Sequence, residues 1–388
     1  MAFCSIIEYR NFGARKLMEP ILRDAVAEIN LGNLRHNIRQ VKKKIGDKKI
    51  IAVVKGNAYG HGVVPVSRVF EEEGVDYFGV AILEEALALR QYGTEKPILV
   101  QSSIDCQRLE EVVRYNLTLA LSDLETARAL SSAALRLNKQ AVVHIKVDTG
   151  LHRFGVFPKD VPDFVKEVSR LEGIYIEGIY THLAASKATG EDYARMQVNR
   201  FVSVLEELKQ IGYILPLRHI ACSTALVEFP ECLFDIVRVG TAFYGIKHIE
   251  GIDLKPVMSL KSRVCFIKKV PAGSYISYGM KYRTERETNL VVINMGYADG
   301  LPRVLYQEGQ VLIRGKRFRF AGIINMNNAI IDVGDEDIFV GEEVVIMGRQ
   351  GQEVITNDEI ANKLQTSTAE LPVRISETVP RVYVEKET

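Results

Sequence analysis

The residues best suited to chemistry lie in the segment IIAVVKGNAYGHG, residues 50–62. Five apolar residues predict a short buried strand, and Lys55 follows the last of them. An amine held beside apolar walls loses solvation, so its pKa falls and it can act as a nucleophile or a base. Most lysines that end a strand are solvated and inactive. Here three glycines, an asparagine, a tyrosine and a histidine follow Lys55, which is typical where the backbone approaches a ligand. We interpret Lys55 as a candidate Schiff-base lysine.

Further polar residues stand at the ends of later strands. The segments KVDTGLHRFG, YTHLA, ACSTA and VRVGTAFYG each follow or end an apolar run. The candidates within them are Lys146, Asp148, Arg153, His182, Ser223, Thr224, Arg238, Gly240 and Tyr244. Each alone is a weak signal, since a histidine that ends a strand is more often structural and a barrel arginine usually anchors a loop. Together they predict several polar groups at one rim, where α/β barrels carry out their chemistry.

The elements that would position these residues are short apolar strands that alternate with amphipathic helices. Eight strands are predicted, at residues 50–54, 77–81, 97–100, 117–121, 141–147, 174–180, 218–222 and 235–237. The alternation predicts parallel strands joined by crossover helices, and eight such units fit a closed (β/α)8 TIM-type barrel. An open doubly wound sheet is the structural alternative. However, the G-x-G-x-x-G turn of a dinucleotide site is missing after the first strand.

After about Ser259 the pattern changes to strands joined by short turns. One helix is predicted over Asn357–Leu364, with Asn357 or Asp358 as its cap. We therefore expect an α/β protein in three parts. These are an N-terminal extension at 1–24, a barrel domain at 25–258, and a smaller, mostly β C-terminal domain at 259–388.

Composition narrows the class of protein. The chain has 388 residues, is 47% hydrophobic, and has 50 lysines and arginines against 49 aspartates and glutamates. This balance, without a basic stripe, argues against nucleic acid and membrane surfaces as partners, and no apolar run reaches the ~20 residues of a membrane helix. No secretory signal stands at the N-terminus. Five scattered cysteines without a C-x-x-C pair favour neither zinc nor disulfides, so we expect no metal and a cytoplasmic location.

The segment around Lys55 closely resembles the cofactor-lysine segment of the alanine racemases, and the resemblance covers about residues 25–382. It implies an enzyme that interconverts L- and D-alanine with pyridoxal 5′-phosphate (PLP), to which Lys55 would be bonded. Arg238 would face the pyridine nitrogen, with His182 behind it, and Arg153 would contact the substrate carboxylate. The phosphate would be held by Tyr59, Ser223, Gly240 and Thr241.

The C-terminal domain adds matches that imply a dimer. In ISYGMKY, Tyr278 stands at the position of the family's second base, opposite Lys55, and in NMNN the Met326 backbone would meet the substrate carboxylate. Because these two residues act from the partner subunit in the family, the resemblance implies a homodimer with shared active sites. Tyr297 in GYADG resembles part of the family's access channel. Lys146 resembles a lysine that is carbamylated in some members.

Four positions depart from the family pattern. Asn325-Met326-Asn327 replaces the usual C-M-D, Cys222 replaces an asparagine, and Ala369 stands where a tyrosine is common. Loss of the tyrosine would open space beside the substrate, so we expect serine or larger amino acids to be accepted alongside alanine.

A serine, lysine or broad-specificity racemase of the same fold is the alternative function. A PLP decarboxylase would need a Gly-rich phosphate triplet and a C-terminal Cys-Asp pair, and a non-catalytic PLP carrier would lack the β domain.

Overall fold

The structure, a computed structural model, describes residues 23–386, so almost all of the extension predicted at 1–24 lies outside the described residues. β1 (Val26–Asn30) leads into a helix, Leu31–Ile45. The Asn30 side chain caps this helix by accepting a hydrogen bond from the Asn33 N–H at 3.1 Å.

Eight parallel strands follow, and they confirm the predicted barrel. They are β2 (Lys49–Val53), β3 (Tyr77–Val80), β4 (Ile98–Val100), β5 (Thr118–Leu121), β6 (Ala141–Lys146), β7 (Ile174–Tyr180), β8 (Leu217–His219) and β9 (Ile236–Val239). Each strand pairs with the next from β2 to β8, and β9 pairs with β2. The Asp235 N–H donates to the Arg218 carbonyl at 3.1 Å and the Arg238 N–H to the Ala221 carbonyl at 3.0 Å. These bonds join β8 to β9 and close the sheet, which excludes the open alternative.

The helices of the barrel lie between these strands and share their outer core. They are Val63–Glu72, Leu83–Tyr92, Leu109–Arg114, Leu124–Arg136, Val161–Ser169, Lys187–Gln210 and Ala225–Glu228. The barrel interior is a separate buried cluster, to which seven strands contribute one residue each. Its members are Ile51, Tyr77, Leu99, Ala120, Tyr180, Leu217 and Ile236. The interior is therefore filled by side chains, and only the rim has room for a ligand.

The C-terminal domain is a nine-stranded sheet to which the first strand of the chain belongs. Its other strands are β10 (Met258–Val270), β13 (Thr288–Ile293), β14 (Gln310–Ile313), β15 (Lys316–Phe320), β16 (Ala329–Gly334), β17 (Glu343–Gln350), β18 (Glu353–Ile355) and β19 (Arg381–Val384). β1 pairs antiparallel with β10 and parallel with β19, so both ends of the described chain enter this sheet. A small hairpin, β11 (Tyr275–Ile276) and β12 (Tyr282–Arg283), projects from the domain.

Two helices complete the C-terminal domain, Asn357–Leu364 and Glu370–Arg374. The first was predicted with the correct bounds, but its predicted cap is wrong. Thr356 is the cap, because its hydroxyl accepts a hydrogen bond from the Glu359 N–H at 3.0 Å. Between Arg23 and Lys386, no helix has the length and apolar character needed to cross a bilayer.

Candidate active site

The chain after Lys55 forms a left-handed turn. Gly56, Asn57, Ala58 and Tyr59 have φ values of +62°, +53°, +55° and +53°. Glycine adopts this conformation freely, but each of the other three residues costs about 1 kcal/mol or more. The turn is closed by backbone hydrogen bonds from the Ala58 N–H to the Val54 carbonyl and from the Gly60 N–H to the Gly56 carbonyl, both 2.8 Å long. This strained geometry brings the Lys55 and Tyr59 side chains to the same cavity.

That cavity, of about 210 Å³, lies at the carboxyl ends of the barrel strands. Every barrel residue that the resemblance implicates lines it. The lining comprises Val53, Lys55, Tyr59, Gln101, Lys146, Arg153, Tyr180, His182, Cys222, Ser223, Thr224, Arg238, Gly240 and Thr241. Two lysines and two arginines are present, and no described carboxylate is among the lining residues. The cavity is therefore suited to a molecule with negative charge.

One end of the cavity can hold an oxyanion. The Ser223 hydroxyl oxygen accepts hydrogen bonds from the Gly240 N–H at 3.0 Å and the Ala242 N–H at 3.2 Å, so its own proton is available to a ligand. A Cβ on Gly240 would come within 2.7 Å of the Tyr59 hydroxyl, so only glycine lets the strand and the tyrosine approach. The Ser223 and Tyr59 hydroxyls both line this cavity, and hydroxyl donors suit a phosphate.

Arg238 forms the floor of the cavity, and its side chain is buried, at 4% exposure. Its guanidinium donates to the Thr181 carbonyl at 2.7 Å and to the Ile220 carbonyl at 3.0 Å. It also donates to His182 Nδ1 at 3.2 Å. Burial, reinforced by Arg238, lowers the pKa of His182 to about 3, so this imidazole is neutral and accepts the bond.

A chain of hydrogen bonds runs from Arg238 down through the barrel. Arg238 Nη1 lies 2.7 Å from His219 Nδ1, and His219 Nε2 lies 2.9 Å from His144 Nδ1. His144 Nε2 lies 3.0 Å from the Glu177 carboxylate, which also accepts the Tyr77 hydroxyl. Since arginine can only donate, each imidazole must accept on Nδ1 and donate from Nε2. A buried cation is thus linked to a carboxylate through two oriented, neutral rings.

Both cavity lysines have lowered pKa values. Burial, followed by the nearby Arg153 charge, lowers the pKa of Lys55. The same two causes lower the pKa of Lys146 to about 8. Lys146 Nζ donates to the Gln101 carbonyl at 3.3 Å and lies 4.9 Å from the centre of the Phe154 ring. Amines held in this way are available as nucleophiles and bases near neutral pH.

The predicted residues of the C-terminal domain do not line the cavity of their own chain. Tyr278, at the tip of the β11–β12 hairpin, is 68% exposed, Met326 is 56% exposed and Tyr297 is 42% exposed. Ala369 is half-buried beside the Glu370–Arg374 helix and does not line the cavity either. Asn325 accepts a hydrogen bond from the Ser277 hydroxyl at 3.0 Å and so supports the base of the hairpin tip.

Several residues of the site were missed from the sequence. Gln101 directly follows β4 at the rim, so the rule that selected the other candidates could have found it. Tyr180 ends β7 and stacks on His219, with ring centres 4.7 Å apart. His144, His219 and Glu177 point inward from within strands, and no local pattern distinguishes them from structural residues.

The cavity fits PLP. It offers an amine for the aldehyde, oxyanion donors for the phosphate, and a guanidinium for the pyridine ring. Gln101 Nε2 and the Tyr180 hydroxyl are buried, lack a partner among the described residues, and belong to lining residues. Buried polar atoms in this state usually have a ligand or ordered water to bond. Among the described residues, no cluster of His, Cys, Asp or Glu could hold a metal ion.

Fold and site together define a barrel protein that binds an anionic cofactor beside a reactive lysine. The model of the alanine racemase N-terminal domain matches residues 29–248, and that of the C-terminal domain matches residues 257–383. The chain belongs to the alanine racemase family.

Individual alanine racemases are similar to this chain over more than nine-tenths of its length. Alanine racemase 2 of Caldanaerobacter subterraneus is 40% identical over 370 residues, which are 94% of this chain and 95% of that protein. Alanine racemase of Desulforamulus reducens is 41% identical over 366 residues, which are 92% of this chain and 98% of that protein. A solved alanine racemase structure from Clostridium difficile superposes with a TM-score of 0.89 at 35% identity, covering 95% of this chain and 97% of that one.

Proposed function

We propose that this chain is a PLP-dependent alanine racemase, in which two bases on opposite faces of the substrate interconvert L- and D-alanine. The observation that carries the proposal is the cationic cavity around Lys55, in a chain that belongs to the alanine racemase family. PLP, when bound, withdraws electrons from the substrate α-carbon and makes its proton acidic. The protein has to bind both molecules, orient the Cα–H bond, and move a proton at each face.

Lys55 serves the first face. Its amine would bond the cofactor, and the same amine would act as the base beside the α-carbon on this face. Its lowered pKa leaves more of it unprotonated near neutral pH. The other barrel residues hold the ligands. Tyr59, Ser223, Gly240 and Thr241 bind the phosphate, and Arg153, which is exposed, binds the substrate carboxylate.

Arg238 influences what happens after the proton is removed. Its guanidinium keeps a positive charge at the floor of the cavity, and its donors are already directed to carbonyls and imidazoles. No described carboxylate contacts it, so the site offers the pyridine nitrogen no acid. This arginine would weaken the electron withdrawal that the cofactor supplies, and so would favour return of a proton to the α-carbon over transamination.

Tyr278 serves the second face from a second copy of the chain. Its exposure, and that of Met326, support this assignment, since a catalytic phenol at the tip of a projecting hairpin has no role on its own surface. The Met326 backbone N–H would meet the substrate carboxylate, and Tyr297 would line the access channel. The proposal therefore includes a homodimer in which each site needs both chains.

We also infer a cytoplasmic location, a division of the chain into three parts, and a modification of Lys146. Cytoplasmic location is supported by the described cysteines, Cys106, Cys222, Cys232 and Cys265, none of which is in a disulfide. The division at 1–24, 25–258 and 259–388 is supported by the change in strand pattern near Ser259, although β1 pairs with β10 and β19 of the C-terminal sheet. Carbamylation of Lys146 is supported by its amine, whose pKa of about 8 leaves it free to react with carbon dioxide.

Circular dichroism of L-alanine solutions tests the activity directly. The purified holoenzyme should drive the alanine signal to zero from either enantiomer, because a racemase ends at equal amounts of both. Inversion that is absent with alanine but present with serine or lysine would support the alternative, a racemase of the same fold with a different substrate.

Ala369 tests the specificity. We expect serine or larger amino acids to react alongside alanine, because no phenol occupies this position. Ala369→Tyr should then lower kcat/KM for serine by roughly ten-fold or more while changing alanine little. Strict alanine preference in the wild-type enzyme would contradict relaxed specificity without affecting the racemase assignment.

A further inference from the structure

A carboxylate ties the lysine turn to the neighbouring rim loop. Glu85 lies in the first turn of the Leu83–Tyr92 helix, and its Oε2 accepts the Ala81 N–H at 2.8 Å and the Ile82 N–H at 3.3 Å. Those two bonds are ordinary helix capping. Its other oxygen, Oε1, accepts the Gly56 N–H at 2.5 Å, across a separation of 29 residues. This third bond leaves the helix and reaches the residue directly after Lys55.

The Gly56 bond falls where the backbone is most strained. Gly56 begins the left-handed turn, and the three residues after it also have positive φ. Such a run persists only when surrounding contacts hold it in place. The Asn57 side chain, through its bond from the Val63 N–H at 2.8 Å, fixes the far side of the turn. Glu85 fixes the near side, where the direction of the Lys55 side chain is set.

Glu85 also supplies the negative charge in a cationic surrounding. The groups that face Lys55 are Glu85, Arg153, Arg238, Lys146 and the neutral imidazole of His182. Burial is the main cause of the lowered lysine pKa, and Arg153 and Arg238 lower it further, whereas Glu85 opposes them. Without that carboxylate, three cations would act on one amine unopposed.

We propose that Glu85 is a positioning residue of the racemase, whose carboxylate both holds the Lys55 turn and retains a proton on the lysine for return to the substrate. This rests on the proposed function in so far as Lys55 is the reactive amine. A base that takes a proton must also give one back in the opposite direction of racemisation, so an amine depleted of protons would slow one direction of the reaction.

Three variants distinguish the effect of the Glu85 charge from the effect of its hydrogen bond to Gly56. Glu85→Gln keeps the length of the side chain and removes the charge, whereas Glu85→Asp keeps the charge and shortens the reach to Gly56. Glu84→Gln is the matched control, because Glu84 is the adjacent residue of the same helix and pairs instead with Arg108. Glu85→Asp also keeps the test open if the glutamine variant fails to fold, and far-UV circular dichroism monitors folding of each.

The first measurement is the pH dependence of Lys55 acetylation by trace acetic anhydride in the full chain freed of PLP, read by mass spectrometry. Glu85→Gln should move the midpoint down by roughly half to one pH unit, as expected for loss of one nearby charge. Glu85→Asp and Glu84→Gln should leave the midpoint near that of the wild type. An unshifted midpoint in Glu85→Gln, or an equal shift in Glu84→Gln, overturns the role of the charge.

The second measurement is steady-state racemisation by the holoenzymes. Glu85→Asp should lower kcat by about ten-fold with little change in KM, because the lysine is misdirected while the substrate groups stay intact. Wild-type kcat in Glu85→Asp overturns the role of the bond to Gly56. If the wild-type chain itself proved inactive on amino acids, the acetylation midpoints would still decide whether Glu85 acts on Lys55.

Discussion

The barrel rim and the β11–β12 hairpin tip differ in how far their candidate catalytic side chains are held by contacts within one chain. At the rim, Lys55 is held by a strained turn and Arg238 by hydrogen bonds to four residues, and both side chains line one cavity. At the hairpin tip, Tyr278 is 68% exposed, and the neighbouring Ser277 and Met280 have φ values of +61° and +51°. One region is organised to bind a cofactor alone, and the other presents a phenol outward on a strained loop. The contrast supports the proposed dimer, in which one chain would supply the binding site and another the second base.

The largest effect on racemisation should come from removing the Lys55 amine at the barrel rim. Lys55→Ala deletes both the covalent attachment and one base, so we expect racemisation to fall by about four orders of magnitude or more. Circular dichroism of alanine measures this, and loss of the visible absorption near the usual PLP band should accompany it. Lys48→Ala is the control, since Lys48 is exposed before the same strand. Near-normal activity in Lys55→Ala would mean that the cavity lysine is structural.

Mixing two inactive variants tests most directly whether Lys55 of one chain and Tyr278 of another form one active site. Tyr278→Phe should lower activity by roughly 10²–10³-fold as loss of a general base. If the two regions act across a dimer, a Lys55→Ala chain paired with a Tyr278→Phe chain rebuilds one intact site. Random mixing after reversible dissociation should then recover about a quarter of wild-type activity, because half the dimers are mixed and each has one good site.

The same mixture distinguishes the opposite arrangement. If Tyr278 acted on the lysine of its own chain, no mixed dimer would hold an intact site, and activity would stay at the level of the separate variants. A double variant carrying both changes, mixed with inactive Lys55→Ala, provides the control that no activity arises from exchange itself.

The gathering of polar residues at the barrel rim could be predicted from the sequence pattern, whereas the hairpin tip was assigned only through the family resemblance. Residues at strand ends, such as Lys55, His182 and Arg238, are found by periodicity, because parallel strands must bring their carboxyl ends to one rim. The left-handed turn could not be derived, since Ala58 and Tyr59 have no intrinsic preference for positive φ and tertiary contacts impose it. Likewise nothing local indicated that β1 would pair with β10 and β19 rather than with the barrel.

A medium effect should appear in the pH dependence of stability. Lys146 has a pKa of about 8 in the folded chain, against about 10.4 for an unfolded lysine. Between these values the unfolded state binds the extra proton, so the free energy of unfolding should rise as pH increases from 8 to 10. Lys146→Met should remove this rise and stabilise the PLP-free chain at pH 7 by roughly 1–2 kcal/mol, a value reduced for solvent screening because the amine lines a cavity.

Urea unfolding in carbon dioxide-free buffer measures this slope, since carbamylation would otherwise alter the amine. Lys43→Met, at an exposed position of the Leu31–Ile45 helix, is the control and should keep the wild-type slope. If Lys146→Met leaves the pH dependence of the free energy of unfolding unchanged, the lysine has the same charge in the folded and unfolded states. The barrel rim would then not lower the pKa of this amine.

The smallest effect should lie at the far end of the hydrogen-bond chain from Arg238. Burial alone would raise the pKa of Glu177, but bonds from His144 and Tyr77 outweigh it and hold the pKa below its usual range. A carboxylate in this state stabilises the fold above its unfolded pKa of about 4.3, and the stabilisation is lost as pH falls through the folded value. Glu177→Gln should therefore cost about 1 kcal/mol at pH 7, and this cost should disappear as pH falls through the folded pKa of Glu177, as measured by urea unfolding. Because two neutral rings separate Glu177 from Arg238, kcat should fall only two- to five-fold. A loss of kcat as large as that of Tyr278→Phe would mean that the charge of Arg238 depends on Glu177. The active site would then include residues inside the barrel as well as those at its rim.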